Sequence, residues 1–185
     1  QDQIDDDQTT QTRPLEGMRV IDLTDHRGDI GPWILGELGA DVIKVEPPGG
    51  CSTRGSDPIR KDDASDLRSL HFSSYSSNKR SIVLNLENHE DRETFLKLLE
   101  TADFLYESGM PSFLSEVGID RTQITSANNQ LIHVVVTPFG ADGPRANNPH
   151  SELSLASLGG SPNLQGTPDR PPVKASIPQV WRHAG

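Results

Sequence analysis

Residues that could support nucleophilic, metal or redox chemistry are few and widely spaced in this chain. The single cysteine, Cys51, excludes an intrachain disulfide, a cysteine-based zinc site and an iron–sulfur cluster. No G-x-S-x-G motif is present, which argues against an α/β-hydrolase. No two histidines stand four residues apart, so no pair shares a helix face as in zinc proteases. The histidines are His26, His71, His89, His133, His150 and His183. The sequence therefore predicts no metal site, and His133, inside a predicted strand, is expected to be structural.

Residues 24–32, TDHRGDIGP, form the turn where a phosphate loop would stand, because a helix N-terminus attracts anions. The turn contains neither G-x-G-x-x-G nor G-x-x-x-x-G-K-[ST], and Asp25 and Asp29 would repel a phosphate. These features argue against a NAD(P) dehydrogenase and against a P-loop nucleotide hydrolase. The compact basic pair Lys79-Arg80 could still attract phosphates.

The charge and hydropathy of the chain disfavour two classes of binding partner, nucleic acids and membranes. The 27 acidic and 17 basic residues give a net charge of −10, which disfavours binding to nucleic-acid phosphates. No run of about 18 apolar residues could span a bilayer, and no hydrophobic signal segment is visible. We therefore expect a cytoplasmic protein without nucleic-acid or membrane partners. Residues 1–13, with four aspartates and one aliphatic residue, are predicted to form a disordered acidic leader before a domain at 14–185.

Short β-rich runs alternate with helical stretches from Pro14 onward. Strands are predicted at 18–23, 41–46, 81–86, 102–107 and 131–137. Helices are predicted at 32–39, 90–101 and 152–158, with helical turns near 67–72 and 111–117. This alternation predicts an α/β fold, a mostly parallel sheet with helices on both faces.

Three motifs in this order and spacing resemble the N-terminal half of CoA-transferase family III, the CaiB/BaiF group. They are GADVIKVEPPGG at 39–50, NKRSIVLNL at 78–86 and FGADGP at 139–144. The resemblance covers 14–185 and implies a Rossmann-like large domain, left incomplete by this chain, in an interlocked dimer. It also implies exchange of CoA between carboxylic acids, with CoA as a substrate and no resident cofactor. Related racemases act on 2-methylacyl-CoA thioesters.

The family's transferases use an aspartate that attacks the thioester carbonyl, giving a mixed anhydride and releasing CoA thiolate. Counted from Pro171-Pro172, the family position of this aspartate falls on Trp181. Tryptophan is neither a nucleophile nor a base, so the resemblance predicts that the standard mechanism is absent from this chain.

The family's CoA-binding positions also change here. The E-N-F segment becomes Glu107-Ser108-Gly109, a CoA-contacting arginine falls on Glu116, and L-D-x-K becomes Leu84-Asn85-Leu86-Glu87. Each lost cation contact costs about 1–3 kcal/mol of phosphate binding. The positions carried over for CoA are Asp29, Ile30, Arg54, Leu84, Asn85, Leu86, Glu87, Ser108, Gly109 and Glu116.

Three functional hypotheses remain open. The leading one is a family III domain with an altered site that serves as a structural and dimerising partner, as in the first domain of a two-domain fusion. It would pair with a second copy or with the rest of a longer chain. The second is an active transferase or racemase that binds CoA or acyl-CoA and uses Glu152, although Glu152 also fits a helix N-terminus capped by Ser151. The third is a small α/β binding module unrelated to CoA.

Overall fold

A computed structural model describes residues 12–61, 68–109, 113–176 and 179–184. Five strands form one parallel sheet in the order β3-β2-β1-β4-β5. They are β1 (Arg19–Leu23), β2 (Asp41–Glu46), β3 (Lys79–Val83), β4 (Phe104–Ser108) and β5 (Ile132–Val136). The predicted α/β fold with a mostly parallel sheet is confirmed.

Helices connect the strands, as parallel pairing requires. They are α1 (Ile30–Glu37), α2 (Leu70–Ser76), α3 (His89–Leu99), α4 (Phe113–Glu116), α5 (Arg121–Ala127), α6 (Glu152–Leu158) and α7 (Val180–Ala184). Short 3₁₀ turns lie at Ser52–Gly55 and Ser161–Leu164. Across the described ranges, no helix is both long and apolar enough to cross a membrane.

The core lies on both faces of the sheet, because successive strand side chains point to opposite sides. Ile21 and Leu105 pack with Phe95 of α3 in the larger cluster. Val20 packs with Leu35 of α1 in the smaller one. The helices therefore cover both faces, as the sequence predicted.

The third strand differs from its prediction of 81–86. It begins at Lys79 and ends at Val83, because its ladder with β2 runs from Val42 opposite Lys79 to Glu46 opposite Val83. Leu84 and Leu86 continue the apolar alternation beyond the ladder and are buried in the larger core cluster. An alternating pattern alone cannot show where hydrogen bonding to the neighbouring strand stops.

Helix α5 was not predicted, because its sequence RTQITSA is mostly polar. A capping box between Asp120 and Gln123 starts it, and Ile124 is its buried contact to the core. The predicted helical turn at 67–72 corresponds to α2, and that at 111–117 to α4. Residues 67, 111 and 112 lie outside the described residues, as do residues 1–11 of the predicted leader.

Candidate functional site

The residues carried over for CoA binding follow the carboxyl ends of the strands. Parallel strands bring these ends to one edge of the sheet, where ligands of open α/β folds bind. Asp29 and Ile30 follow β1, Arg54 follows β2, Leu84 to Glu87 follow β3, and Ser108 and Gly109 stand at the end of β4. The topology therefore brings these positions to one edge, with Glu116 on α4.

One buried aspartate joins two buried lysines at this edge. Asp22 Oδ2 lies 2.8 Å from Lys79 Nζ and 3.3 Å from Lys44 Nζ, and the three side chains are 0–3% exposed. Burial alone would raise the pKa of Asp22, but the two ammonium groups hold it below its usual value. Burial lowers the pKa of Lys79, and repulsion from Lys44 lowers it further.

The same two lysines anchor the loop after β1. Lys44 Nζ donates to the carbonyl of Thr24 at 2.8 Å, and Lys79 Nζ donates to the carbonyl of Asp29 at 3.1 Å. The loop is thus held at both ends by cations from neighbouring strands. Lys79 is inside the protein, whereas its neighbour Arg80 pairs with Asp41 at the surface.

Asp25, in the middle of this loop, is also neutralised. Its carboxylate accepts hydrogen bonds from Arg27 Nη2 at 2.6 Å, from Arg27 Nε at 2.9 Å and from Ser108 Oγ at 2.9 Å. Burial alone would raise the pKa of Asp25, but these donors lower it. Gly109 has φ of +136°, and a Cβ there would stand 3.3 Å from the Arg27 guanidinium. Ser108 therefore ties the end of β4 to the first loop, and the missing side chain of Gly109 leaves room for the Arg27 guanidinium.

Arg54, proposed from the sequence as a phosphate contact, is committed to a protein carboxylate. Its Nε lies 2.6 Å from Glu46 Oε2 and its Nη2 lies 2.7 Å from Glu46 Oε1. The guanidinium also stacks on Phe72, 4.1 Å from the ring centroid. Ser81 Oγ and the backbone N–H of Cys51 donate to the same carboxylate.

The ion pair between Glu46 and Arg54 predicts that the protein loses stability in acid. Burial alone would raise the pKa of Glu46, but its four donors lower it from 4.5 to about 2. A carboxylate with a lowered pKa stabilises the fold above its unfolded pKa, and that stability is lost as the pH falls towards the folded value. We expect the free energy of unfolding to fall by up to about 3 kcal/mol from this group between about pH 4.5 and pH 2.

Urea unfolding across this pH range would measure the loss. Glu46→Gln should be less stable than the wild type at pH 7. Its free energy of unfolding should not show the loss that Glu46 causes in the wild type between about pH 4.5 and pH 2. Glu100→Gln changes an exposed glutamate and serves as the control, so this variant should lose stability in acid as the wild type does. An unchanged acid profile in Glu46→Gln would contradict the assignment.

A cavity of about 360 Å³ opens at the ends of β1, β2 and β3 and gathers the four residues after β3. Leu84, Asn85, Leu86 and Glu87 line it together with Thr24, Asp25, Glu46 and Cys51. A neighbouring depression shares Glu87 with this cavity and is also lined by Glu116 and Arg92. Arg92 donates to the carbonyls of Leu86 and Glu87. Carboxylates thus line this cavity. Two of them, Asp25 and Glu46, are already paired with Arg27 and Arg54.

A second cavity, of about 550 Å³, lies beside Trp181. Trp181 is 8% exposed and packs against Val136 at the end of β5 and Leu155 of α6. His150 meets its ring edge-on, with centroids 5.8 Å apart. The side chain is therefore part of a small apolar core.

Two polar side chains that line this second cavity, His71 and Arg182, contact each other, and His71 also contacts Asp29. Asp29 Oδ2 lies 2.6 Å from His71 Nε2, and His71 Nδ1 lies 3.3 Å from Arg182 Nη2. A guanidinium can only donate, so Nδ1 must accept and Nε2–H donates to Asp29. The Asp29 carboxylate is thus already hydrogen-bonded within the protein. No local sequence pattern indicates this contact, because 111 positions separate His71 from Arg182.

Glu152 stands at the first turn of α6, capped by Ser151 as the sequence suggested. Its Oε1 accepts from the backbone N–H groups of Gln179 at 2.8 Å and Val180 at 3.1 Å, which open the helix carrying Trp181. Its Oε2 is buried and finds no hydrogen-bond partner among the described residues.

His133 of β5 lies 3.0 Å from the carboxylate of Glu107 on the neighbouring strand β4.

The family is established over nearly the whole chain. Residues 15–185 match the model of CoA-transferase family III. This chain belongs to that family. The resemblance drawn from its motifs is therefore confirmed.

Individual family members are similar over the same region. The acetyl-CoA:oxalate CoA-transferase of Acetobacter aceti is 37% identical over 163 residues, covering 87% of this chain and 41% of that enzyme. The BbsE subunit of the Thauera aromatica succinyl-CoA:(R)-benzylsuccinate CoA-transferase is 36% identical over 169 residues, covering 90% of this chain and 40% of the subunit. A CaiB/BaiF family protein from Brucella suis superposes with a TM-score of 0.76 at 35% identity, over 90% of this chain and 44% of its own. The chain thus spans about two-fifths of the length of the curated relatives it matches.

Proposed function

We propose that this chain is the N-terminal part of a family III CoA-transferase large domain whose own catalytic position is altered. Its role is structural and dimerising, in the cytoplasm, beside a copy or segment that performs the exchange. The proposal rests on Trp181, on which the family's aspartate position falls when it is counted from Pro171-Pro172, and whose side chain is buried against Val136 and Leu155. No side-chain oxygen is available at this position to attack a thioester.

The geometry of Glu152 supports a structural role over a catalytic one. Its Oε1 already accepts two backbone N–H groups at the start of α7. These two bonds occupy Oε1 and hold the carboxylate against the start of α7. An active transferase that uses Glu152 is the second candidate, because Oε2 keeps a free acceptor site among the described residues. A module unrelated to CoA-transferases is disfavoured by the family match.

The sheet edges support pairing with further polypeptide. Val83 on edge strand β3 and Ile132 on edge strand β5 are 59% and 53% exposed. Parallel strands are normally covered on both faces. Two relatives are named as subunits, one of them the beta subunit of a Chloroflexus aurantiacus succinyl-CoA–L-malate CoA-transferase.

The acidic residues at the strand ends predict weak binding of CoA phosphates to this half. Glu87 lines both the cavity after β3 and the neighbouring depression with Glu116. Restoring the family's lysine with Glu87→Lys should raise the affinity of the full-length protein for CoA by about tenfold, because one charge-assisted hydrogen bond replaces repulsion. Calorimetric titration with CoA at low salt measures the change.

Glu100→Lys is the matched control, since it makes the same charge change at the end of α3, away from the cavity. It should leave the affinity within about twofold, the range expected from a screened surface charge. A Glu87→Lys protein that binds CoA with the same affinity and the same number of sites as the wild type would contradict an altered CoA site in this chain.

A further inference from the structure

We propose that the ion pair between Arg27 and Asp25 is an autoinhibitory contact that closes the crevice between β1 and β4 against the uncharged arm of an acyl-CoA. The inference rests on the proposed function and deepens it, because it adds a closed passage to the altered catalytic position. It concerns the crevice alone and not the acidic residues near the phosphate positions.

The order of the strands places a ligand crevice between β1 and β4. In the order β3-β2-β1-β4-β5, the chain continues from β1 to β2 on one side and takes up β4 on the other side. Open α/β sheets bind ligands outside the carboxyl ends of the two strands at which the order reverses. These ends are Leu23 of β1 and Ser108 of β4, so a ligand would enter between the loop after β1 and Ser108.

The loop after β1 crosses this crevice and is bonded to its far side. The backbone N–H of Asp25 donates to Ser108 Oγ at 2.9 Å, and Ser108 Oγ donates to the Asp25 carboxylate at 2.9 Å. A Cβ added at Gly28 would stand 3.2 Å from Val136 Cγ2 and 3.4 Å from Ser108 Cβ. These distances are shorter than ordinary van der Waals separations, so no ligand chain fits between the loop and the ends of β4 and β5.

The side chain of Arg27 fills the space above the end of β4. Its Nη2 lies 2.6 Å from Asp25 Oδ2, and its Nε lies 2.9 Å from Asp25 Oδ1. The same Nη2 would stand 3.3 Å from a Cβ at Gly109, so the guanidinium lies where another residue would begin its side chain. Such a two-point, charge-assisted pair is strong and fixed in geometry, so a ligand must open it to enter.

The closed crevice separates two cavities that an extended thioester would have to join. Asp25 lines the cavity that also contains Leu84 to Glu87, whereas the next residue, His26, lines the cavity beside Trp181. The CoA positions thus lie on one side of the loop and the family's catalytic position lies on the other. A ligand that needs an open form binds more weakly in proportion to how rarely that form occurs.

Ligand-observed NMR titration of the full-length protein with pantetheine tests this contact. Pantetheine is the arm of CoA without its phosphates, so its binding does not depend on repulsion by Glu87 or Glu116. We expect Arg27→Ala to bind pantetheine about tenfold more tightly than the wild type, because no ion pair has to open. Arg80→Ala is the matched control, since it breaks an arginine–aspartate pair with Asp41 near the amino ends of β2 and β3. It should leave pantetheine binding unchanged.

A second variant tests the contact if Arg27→Ala fails to fold. Asp25→Asn removes the charge that holds the guanidinium but keeps an oxygen for the Ser108 hydroxyl, and it should also raise pantetheine affinity. Tighter binding in either folded variant supports the contact, and a folded variant set in which neither binds more tightly would overturn it. Pantetheine binding does not require CoA exchange, so the closed crevice and the altered catalytic position can fail separately.

Discussion

Replacing Asp22 with alanine is expected to lower the free energy of unfolding by about 3–5 kcal/mol. The substitution leaves the ammonium groups of Lys44 and Lys79 buried without their shared counter-ion. It also removes the acceptor of the Thr24 hydroxyl and backbone N–H. Urea unfolding at pH 7, with heat denaturation as a second probe, measures the loss.

Asp41 provides a matched control on the neighbouring strand. It also joins two cations, Arg19 and Arg80, but its side chain is 37% exposed. Water and salt screen such a pair, so Asp41→Ala should cost about 1 kcal/mol or less. Equal losses in the two variants would contradict the conclusion that burial makes the Asp22 cluster essential to the first loop.

Replacing Trp181 with aspartate is the second large effect we expect. The variant restores the family's catalytic residue type, yet it places a carboxylate among Val136 and Leu155 and removes their aromatic partner. Lost packing and an unpaired charge should together cost about 3–5 kcal/mol of stability. CoA exchange by this half should not appear, because the CoA positions are altered as well.

Trp181→Phe separates packing from charge. It keeps an aromatic ring in the cluster and should cost less than half as much stability as Trp181→Asp. Thermal unfolding and an exchange assay between an acyl-CoA and a free acid, run on both variants, measure the two effects. A stable Trp181→Asp protein with new exchange activity would show that the rest of the catalytic site is intact.

Local sequence patterns predicted the elements whose limits are set locally. Strand β2 matched its prediction of 41–46 because an apolar run there stops at Pro47-Pro48. Helix α6 matched 152–158 because a serine cap opens it and glycines follow it. Strand β3 was shifted because its limits depend on its pairing with β2.

The partners of the site residues could not be predicted in the same way. The sequence predicted that Arg54 and Lys79 would bind a phosphate. In the structure they pair instead with Glu46 of β2 and Asp22 of β1, which are distant from them in the sequence. Burial decides between a solvent-facing cation and a core ion pair, and burial of a charged residue is a property of the whole fold. The cap that Glu152 gives to α7 spans 28 positions and leaves no local signal.

The most direct test of the altered catalytic position is CoA exchange by the full-length protein carrying Glu152→Gln. Glutamine keeps the oxygen that accepts from Gln179 and Val180 but removes the nucleophilic carboxylate. If Glu152 only caps α7, the exchange rate and the melting temperature stay within about twofold and a few degrees of the wild type. A loss of exchange of about a thousandfold at unchanged melting temperature would contradict the account and make Glu152 the catalytic residue of this chain.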